Sequence, residues 1–110
     1  MKNKLIFITG ATSGIGEGCA RKFASMGSNL ILNGRNVEKL ESLKNELTAQ
    51  GVEVLTLPFD VRNRQAMTEA IHSLKDKWQN IDVLINNAGL VLGMDKELSL
   101  IHISEPTRPY

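Results

Sequence analysis

The chain has 110 residues, a length that suits one compact domain and is too short for two. Hydrophobic residues make up 42% of it and charged residues 23%, a balance that excludes an intrinsically disordered protein. Its 13 basic and 12 acidic side chains give a net charge of +1, so charge predicts neither a nucleic-acid partner nor a membrane surface.

Strands and helices alternate along the chain, beginning with a continuous apolar run over residues 5–9. Such a run is typical of a strand buried on both faces. A helix follows and stops at Gly27. Its apolar positions recur at helical spacing and are Ile15, Cys19, Phe23 and Met26. A second strand over residues 30–32 then leads into a polar turn.

Asparagines are predicted to begin the next two helices. Asn36 is a favourable N-cap for a helix that Gly51 closes. Asn63 caps a third helix, after a strand over residues 52–57. The apolar faces of these helices comprise Val37, Leu40, Leu43 and Leu47 in the first and Ala66, Ala70, Ile71, Leu74 and Trp78 in the second. A fourth strand covers residues 83–85.

Four strands separated by three helices, with short connections, call for a parallel sheet with right-handed crossovers. We therefore predict an α/β fold, the N-terminal half of a Rossmann-like doubly wound parallel sheet with strand order 3-2-1-4.

The cysteine and hydropathy patterns bear on the compartment. The single cysteine, Cys19, is predicted to be a small buried hydrophobe, and one cysteine fits a reducing cytoplasm. No apolar run reaches the roughly 20 residues that span a bilayer. We expect a soluble cytoplasmic protein with no membrane partner.

A glycine-rich turn lies directly between the first strand and the first helix. Residues 9–16 read Thr-Gly-Ala-Thr-Ser-Gly-Ile-Gly, which spaces the glycines as Gly-x-x-x-Gly-x-Gly. Glycines let the backbone approach a diphosphate closely, and the positive end of the helix dipole favours its charge. The turn predicts a dinucleotide site, and a glycine-rich turn without a ligand is the alternative when the motif is taken alone.

Two further motifs follow strands that end at the same edge of the predicted sheet. Asp60 and Val61 follow the third strand, and residues 86–89, Asn-Asn-Ala-Gly, follow the fourth. Taken singly, each could be an ordinary turn. Because ligands of open α/β sheets bind at the carboxyl ends of the strands, the three motifs together favour one nucleotide crevice.

The end of the second strand predicts which nicotinamide dinucleotide binds. NAD-preferring sites place an acid about 20 residues after the glycines, whereas residues 33–36 of this chain read Asn-Gly-Arg-Asn. Arg35, with Asn36 beside it, offers a planar and permanently charged partner for a 2′-phosphate. A solvated loop arginine is the alternative. We predict NADP rather than NAD.

These motifs, in this order, resemble the N-terminal signatures of the short-chain dehydrogenase/reductase family over residues 4–89. The resemblance implies that the pyrophosphate is surrounded by Gly10, Ala11, Thr12, Ser13, Gly14, Ile15 and Gly16. It implies that Asp60 and the Val61 backbone meet the adenine, and that Asn87, Ala88 and Gly89 run beside the adenosine ribose. Asn86 is expected to stabilise the sheet. No metal site is expected, because no Cys/His cluster has ligand spacing.

The resemblance also implies the chemistry of the intact protein, a hydride transfer between NADP(H) and a carbonyl or alcohol. In the family a tyrosine is the general acid/base, a lysine four residues later lowers its pKa, and a serine polarises the carbonyl. All three lie downstream of the Asn-Asn-Ala-Gly motif and none is present here, so the chain itself is expected to be inactive. The intact protein is expected to take a small-molecule substrate and to be a homo-oligomer.

Residues 86–97 are similar to family members that oxidise small 3-hydroxy acids or serine, which favours a small hydroxy acid as the substrate. Two alternatives stay open. One is a non-catalytic NADP-binding or regulatory protein on the same fold, and the other is a sugar-nucleotide epimerase of the extended branch. The spacing between Gly10 and Gly14, three residues rather than two, argues against the epimerase.

The last residues depart from this pattern. Residues 98–108, Leu-Ser-Leu-Ile-His-Ile-Ser-Glu-Pro-Thr-Arg, resemble translated sequencing-adaptor sequence, and they show no periodicity. We expect residues 1–97 to form a partial dinucleotide-binding domain and residues 98–110 to be a non-native tail. A natural irregular C-terminus is the alternative. No role is assigned to Tyr110.

Overall fold

A computed structural model describes residues 2–60 and 62–87 of the chain. Its strands are β1 (Leu5–Thr9), β2 (Asn29–Gly34), β3 (Val54–Pro58) and β4 (Val83–Asn86). Its helices are α1 (Gly14–Ser25), α2 (Val37–Thr48) and α3 (Arg64–His72), followed by a short 3-10 helix, Asp76–Gln79. The predicted site residues Val61, Ala88 and Gly89, and the predicted tail over 98–110, lie outside the described residues.

The four strands form one parallel sheet in the order β3-β2-β1-β4, which confirms the predicted fold and strand order. Strand β1 lies inside this sheet, where Ile6 pairs with Leu30 of β2 on one side and with Val83 of β4 on the other. Since parallel strands covered by helices bury both faces, all five residues of β1 are buried. The carboxyl ends of the strands meet at one edge, hereafter the carboxyl edge.

Two hydrophobic cores cover opposite faces of the sheet, because successive side chains of a strand point to opposite sides. One core joins the sheet to α1 and α2 and includes Ile6, Ile8, Leu30, Leu32, Ala20, Leu40 and Leu47. The other joins the sheet to α3 and the segment after it and includes Leu5, Phe7, Ile31, Met67 and Leu74. Helices on both faces are the arrangement of a doubly wound fold.

The buried face of α1 differs from the apolar pattern of the sequence. Gly16, Ala20 and Ala24 are the buried residues of this helix, whereas Ile15 is 73% exposed and Met26 is also exposed. The predicted positions Cys19 and Phe23 pack only at the margin of the core. The buried face of α1 therefore consists of small residues. At Gly16 the reason is steric, because a Cβ there would lie 2.2 Å from the Gly10 carbonyl oxygen.

Helix α3 ends at His72, earlier than the apolar pattern predicts. Asp76 has a φ of 55°, in the left-handed region that a continuous right-handed helix does not contain. The chain makes the short 3-10 helix there instead. Leu74 is nevertheless buried, and Trp78 still packs against the same core. Leu74 and Trp78 therefore pack against the core as their spacing predicts, although they do not belong to the same continuous helix as α3.

Side-chain caps begin the second and third helices as predicted. Asn36 Oδ1 accepts a hydrogen bond from the Lys39 N–H at 3.0 Å, and Asn63 Oδ1 accepts one from the Ala66 N–H at 3.0 Å.

None of the helices in the described part of the chain is long and apolar enough to cross a membrane.

Candidate cofactor site

The segment that joins β1 to α1, residues 10–16, is a tight turn at the carboxyl edge and is called the glycine turn below. Gly10 opens it with a φ of 63°, a conformation that L side chains rarely adopt. Ser13 caps α1, since its Oγ accepts a hydrogen bond from the Gly16 N–H at 3.1 Å and donates one to the Gly10 carbonyl at 3.0 Å. The turn therefore presents the N-terminus of α1, which favours anions.

Two glycines of this turn serve different needs. A Cβ at Gly16 would lie 2.2 Å from the Gly10 carbonyl oxygen and 2.8 Å from the Ala11 Cα, so Gly16 is required by the close approach of α1 to the start of the glycine turn. A Cβ at Gly14 would meet no protein atom within 4 Å. The fold itself does not require a glycine at that position. The bare backbone at the first residue of α1 instead leaves room for a ligand at the helix N-terminus, which is what a diphosphate needs.

The two asparagines at the carboxyl end of β4, Asn86 within the strand and Asn87 directly after it, make separate contacts. Asn87 Nδ2 donates hydrogen bonds to the Gly10 carbonyl at 2.9 Å and to Ser13 Oγ at 2.7 Å, so it holds the glycine turn. Asn86 lies in β4, and its Oδ1 accepts a hydrogen bond from Thr9 Oγ1 at 3.1 Å. This contact joins the ends of β1 and β4, in agreement with a sheet-stabilising residue.

Asn33 is a structural residue of the site that the sequence analysis did not single out. It is 1% exposed, and its Nδ2 donates to the carbonyl oxygens of Leu57 and Phe59, both at 3.0 Å. Its own carbonyl accepts a hydrogen bond from the Ala11 N–H at 2.8 Å. Asn33 thus ties the glycine turn to the segment that leads into Asp60. A polar residue inside an otherwise apolar buried strand is the signal that could have revealed it.

The end of β2 approaches the glycine turn closely. A Cβ at Gly34 would lie 3.0 Å from Thr12 Cγ2 and 3.1 Å from Thr12 Oγ1. The next residue, Arg35, has a side chain that is 72% exposed. The glycine turn and the exposed guanidinium of Arg35 therefore lie on neighbouring segments of one edge.

Asp60 lies opposite Arg35 and is held mainly by another arginine. Arg62 Nη2 contacts Asp60 Oδ2 at 2.7 Å, and Arg62 Nε contacts Oδ1 at 3.1 Å. The Arg35 guanidinium is 3.8 Å from Oδ2. Hydrogen bonds from Arg62 lower the pKa of Asp60 from 3.8 to about 2, and the same pairing raises the pKa of Arg62.

The structure brings most of the predicted cofactor residues to the carboxyl edge, with three qualifications. Ala11 is fully buried, and its N–H is bonded to β2. The side-chain oxygen of Asn36 caps α2. Val61, Ala88 and Gly89 lie outside the described residues.

In the part of the chain that the structure describes, no three His, Cys, Asp or Glu side chains form a group that could hold a metal ion.

Comparison with known proteins gives concordant matches. The sequence profile of a family described as short chain dehydrogenase matches residues 4–105. The NADP-dependent 3-hydroxy acid dehydrogenase YdfG of Salmonella typhi is 50% identical over 91 residues, which cover 83% of this chain and 36% of that protein. The chain thus spans little more than a third of the length of this curated relative.

Solved structures match the same part of the chain. Serine dehydrogenase from Escherichia coli has a TM-score of 0.71 and 45% identity, over 83% of this chain and 41% of that one. L-Sorbose reductase from Gluconobacter frateurii, complexed with NADPH and L-sorbose, has a TM-score of 0.74 and 33% identity, over 82% of this chain and 35% of that one. With the profile match and the sheet order, these findings show that the chain belongs to the short-chain dehydrogenase family.

Proposed function

We propose that this chain is the cofactor-binding part of a longer oxidoreductase, which transfers a hydride between NADP(H) and a small hydroxy or carbonyl compound. One observation carries the proposal. A glycine turn, fixed by Asn87 and Ser13, places the open backbone of Gly14 at the N-terminus of α1 and on the same edge as Arg35. This arrangement suits a diphosphate and, further out, a second anionic group.

Each part of the nucleotide has proposed partners in this chain. The glycine turn, Gly10, Ala11, Thr12, Ser13, Gly14, Ile15 and Gly16, surrounds the diphosphate. Arg35 and Asn36 hold the 2′-phosphate, and Asp60 and the Val61 backbone meet the adenine. Asn87, Ala88 and Gly89 lie beside the adenosine ribose. When bound, NADP(H) supplies or accepts the hydride, and the residues of this chain bind and orient its adenosine half.

Selection of NADP over NAD is supported by charge at the end of β2. No carboxylate follows β2 directly to repel a 2′-phosphate, and the exposed Arg35 can form paired hydrogen bonds with one. The names of the relatives agree: YdfG is NADP-dependent, and the sorbose reductase was solved with NADPH.

A small 3-hydroxy acid is the proposed substrate class. YdfG is named for 3-hydroxy acids, and the E. coli structure is a serine dehydrogenase. Serine itself carries a hydroxyl on carbon 3 of a carboxylic acid, so the two names describe one kind of substrate. We further propose a cytoplasmic homo-oligomer, in which residues 1–97 are part of the dinucleotide-binding domain and residues 98–110 of this chain are a non-native tail standing in place of the native continuation.

The coding sequence beyond Glu97 tests this proposal first. We expect a serine and a Tyr-x-x-x-Lys motif downstream, and the full-length protein should oxidise 3-hydroxybutanoate or serine with NADP+, followed by the absorbance of NADPH. A continuation that lacks these residues, in a protein that still binds NADP+, would establish the non-catalytic alternative instead.

A further inference from the structure

Asp60 contacts two arginines very unequally. Arg62 occupies both carboxylate oxygens: its Nη2 lies 2.7 Å from Oδ2, its Nε lies 3.1 Å from Oδ1, and its backbone N–H donates to Oδ1 at 2.9 Å. Arg35 Nη1 lies 3.8 Å from Oδ2, beyond hydrogen-bond distance. Arg62 is therefore the hydrogen-bonded partner of the Asp60 carboxylate, and Arg35 lies nearby at a longer distance.

This inequality matters because Asp60 is close enough to Arg35 to compete with a 2′-phosphate for its guanidinium. The Asp60 carboxylate is an alternative partner for the Arg35 guanidinium, and its charge repels a phosphate placed near Arg35. The Asp60 carboxylate is ionised at neutral pH, and the paired Arg62 offsets its negative charge. Two arginines around one carboxylate leave a net positive charge, whereas Arg35 and Asp60 alone would be neutral.

We propose that Arg62 is a positioning residue for cofactor selection: by holding both oxygens of Asp60, it leaves the Arg35 guanidinium free to bind the 2′-phosphate. This inference rests on the proposed NADP-binding function. In the absence of Arg62, Asp60 turns to Arg35, and the neutral pair attracts a 2′-phosphate less. Arg62 acts through Asp60 and does not itself contact the nucleotide.

The test uses two nucleotides that differ only in the 2′-phosphate, 2′,5′-ADP and 5′-AMP. Their affinities for the full-length protein are measured by isothermal titration calorimetry at low ionic strength, where exposed charges are least screened. The readout is the ratio of the two affinities. Because both nucleotides are measured on the same sample, a partial loss of folded protein leaves this ratio unchanged.

Arg62→Met keeps an unbranched side chain and removes the guanidinium. We expect it to lower the preference for 2′,5′-ADP by roughly tenfold, the size expected when one charge-assisted contact is weakened. Adding Asp60→Asn to this variant removes the competing carboxylate, and the preference should return toward that of the native protein. Arg64→Met is the control, since it removes the same charge from a residue that makes no contact with Asp60 among the described residues.

Two results would overturn the inference. An unchanged ratio in Arg62→Met would show that Asp60 does not compete for Arg35. A ratio that falls in Arg62→Met and stays low in the double variant would show that Arg62 binds the phosphate directly. If the proposed NADP-binding function is itself wrong, the result is different: the native protein would bind neither nucleotide or would show no preference between them.

Discussion

The side-chain amide of Asn87 lies 2.9 Å from the carbonyl oxygen of Gly10 and joins the residue after β4 to the first residue of the glycine turn. The same amide donates to Ser13 Oγ at 2.7 Å. Since β1 and β4 are neighbours in the sheet, this link fixes the turn to the carboxyl edge. The turn is formed by the protein's own hydrogen bonds, and a preorganised site loses less entropy when a ligand binds.

Replacing Asn87 should therefore affect both stability and binding. In Asn87→Ala the Gly10 carbonyl and Ser13 Oγ each lose a donor, and we expect the free energy of unfolding to fall by about 1–3 kcal/mol, at roughly 0.5–1.5 kcal/mol per hydrogen bond. NADP affinity should fall with it, because the turn loosens. Urea unfolding and NADPH titration of the full-length protein measure the two effects. Asn45→Ala, on the exposed surface of α2, is the control: it should leave NADP affinity unchanged and should not lower stability, because alanine favours a helix more than asparagine does. An Asn87→Ala variant with unchanged stability and affinity would show that the link is dispensable.

Two glycines of α1 are expected to have different roles, Gly14 in cofactor binding and Gly16 in packing. Gly14→Ala should leave the free energy of unfolding unchanged or slightly higher, because its Cβ meets no protein atom, while NADP binding is greatly weakened by the methyl group in the diphosphate site. Gly16→Ala should destabilise the fold by about 2 kcal/mol or more, since its Cβ clashes with backbone atoms.

Gly18→Ala is the matched control for Gly14→Ala, because its Cβ also lies in open space and it is further along the same helix. Replacing a glycine within a helix should raise stability by roughly 0.5–1 kcal/mol and leave NADP binding intact. Thermal unfolding and calorimetric titration give both quantities. Equal binding by the Gly14 and Gly18 variants would argue against a diphosphate at the start of α1.

Arg35 should distinguish the two nicotinamide dinucleotides. Arg35→Ala in the full-length protein is expected to lower the affinity for NADP by a larger factor than the affinity for NAD, because only NADP carries the 2′-phosphate. Dissociation constants for both cofactors are compared with those of Arg64→Ala, a variant of equal charge. Equal losses for NADP and NAD would refute the assigned role.

The pairing of Asp60 with Arg62 predicts a specific pH dependence. The pKa of Asp60 is lowered from 3.8 to about 2 in the folded protein, chiefly by Arg62. The pairing thus stabilises the fold above the ordinary pKa of 3.8, and this contribution is lost as the pH falls through about 2. An NMR titration of the Asp60 carboxyl carbon should show the low midpoint, and Arg62→Met should raise it toward the ordinary value. An ordinary midpoint in the native protein would contradict the pairing.

The fold was predictable because its signals are local and repeated. Alternation of buried runs with capped amphipathic segments predicts a parallel sheet, and the caps Asn36 and Asn63 are visible as single residues. The buried face of α1 was not predictable from hydrophobicity, because it consists of small residues, among them Gly16 and Ala20, while Ile15 is exposed. The end of α3 was missed because apolar spacing continues into the 3-10 helix.

The candidate site was predictable as a set of motifs but not as a network. Spacing places the glycine turn, Asp60 and Asn87 at one edge, since strand order alone brings them there. It does not show that Asn33 carries hydrogen bonds between them, because those contacts depend on side-chain positions in three dimensions. The hold of Arg62 on Asp60 is likewise a property of loop geometry.

Uptake of the dinucleotide by the full-length native protein is the most direct measurement of whether the backbone of residues 10–16 receives a diphosphate. Calorimetric titration with NADP+ and NAD+ should show saturable binding of one molecule per subunit, tighter for NADP+. Absence of detectable binding of either dinucleotide to a folded sample would contradict the proposed cofactor site.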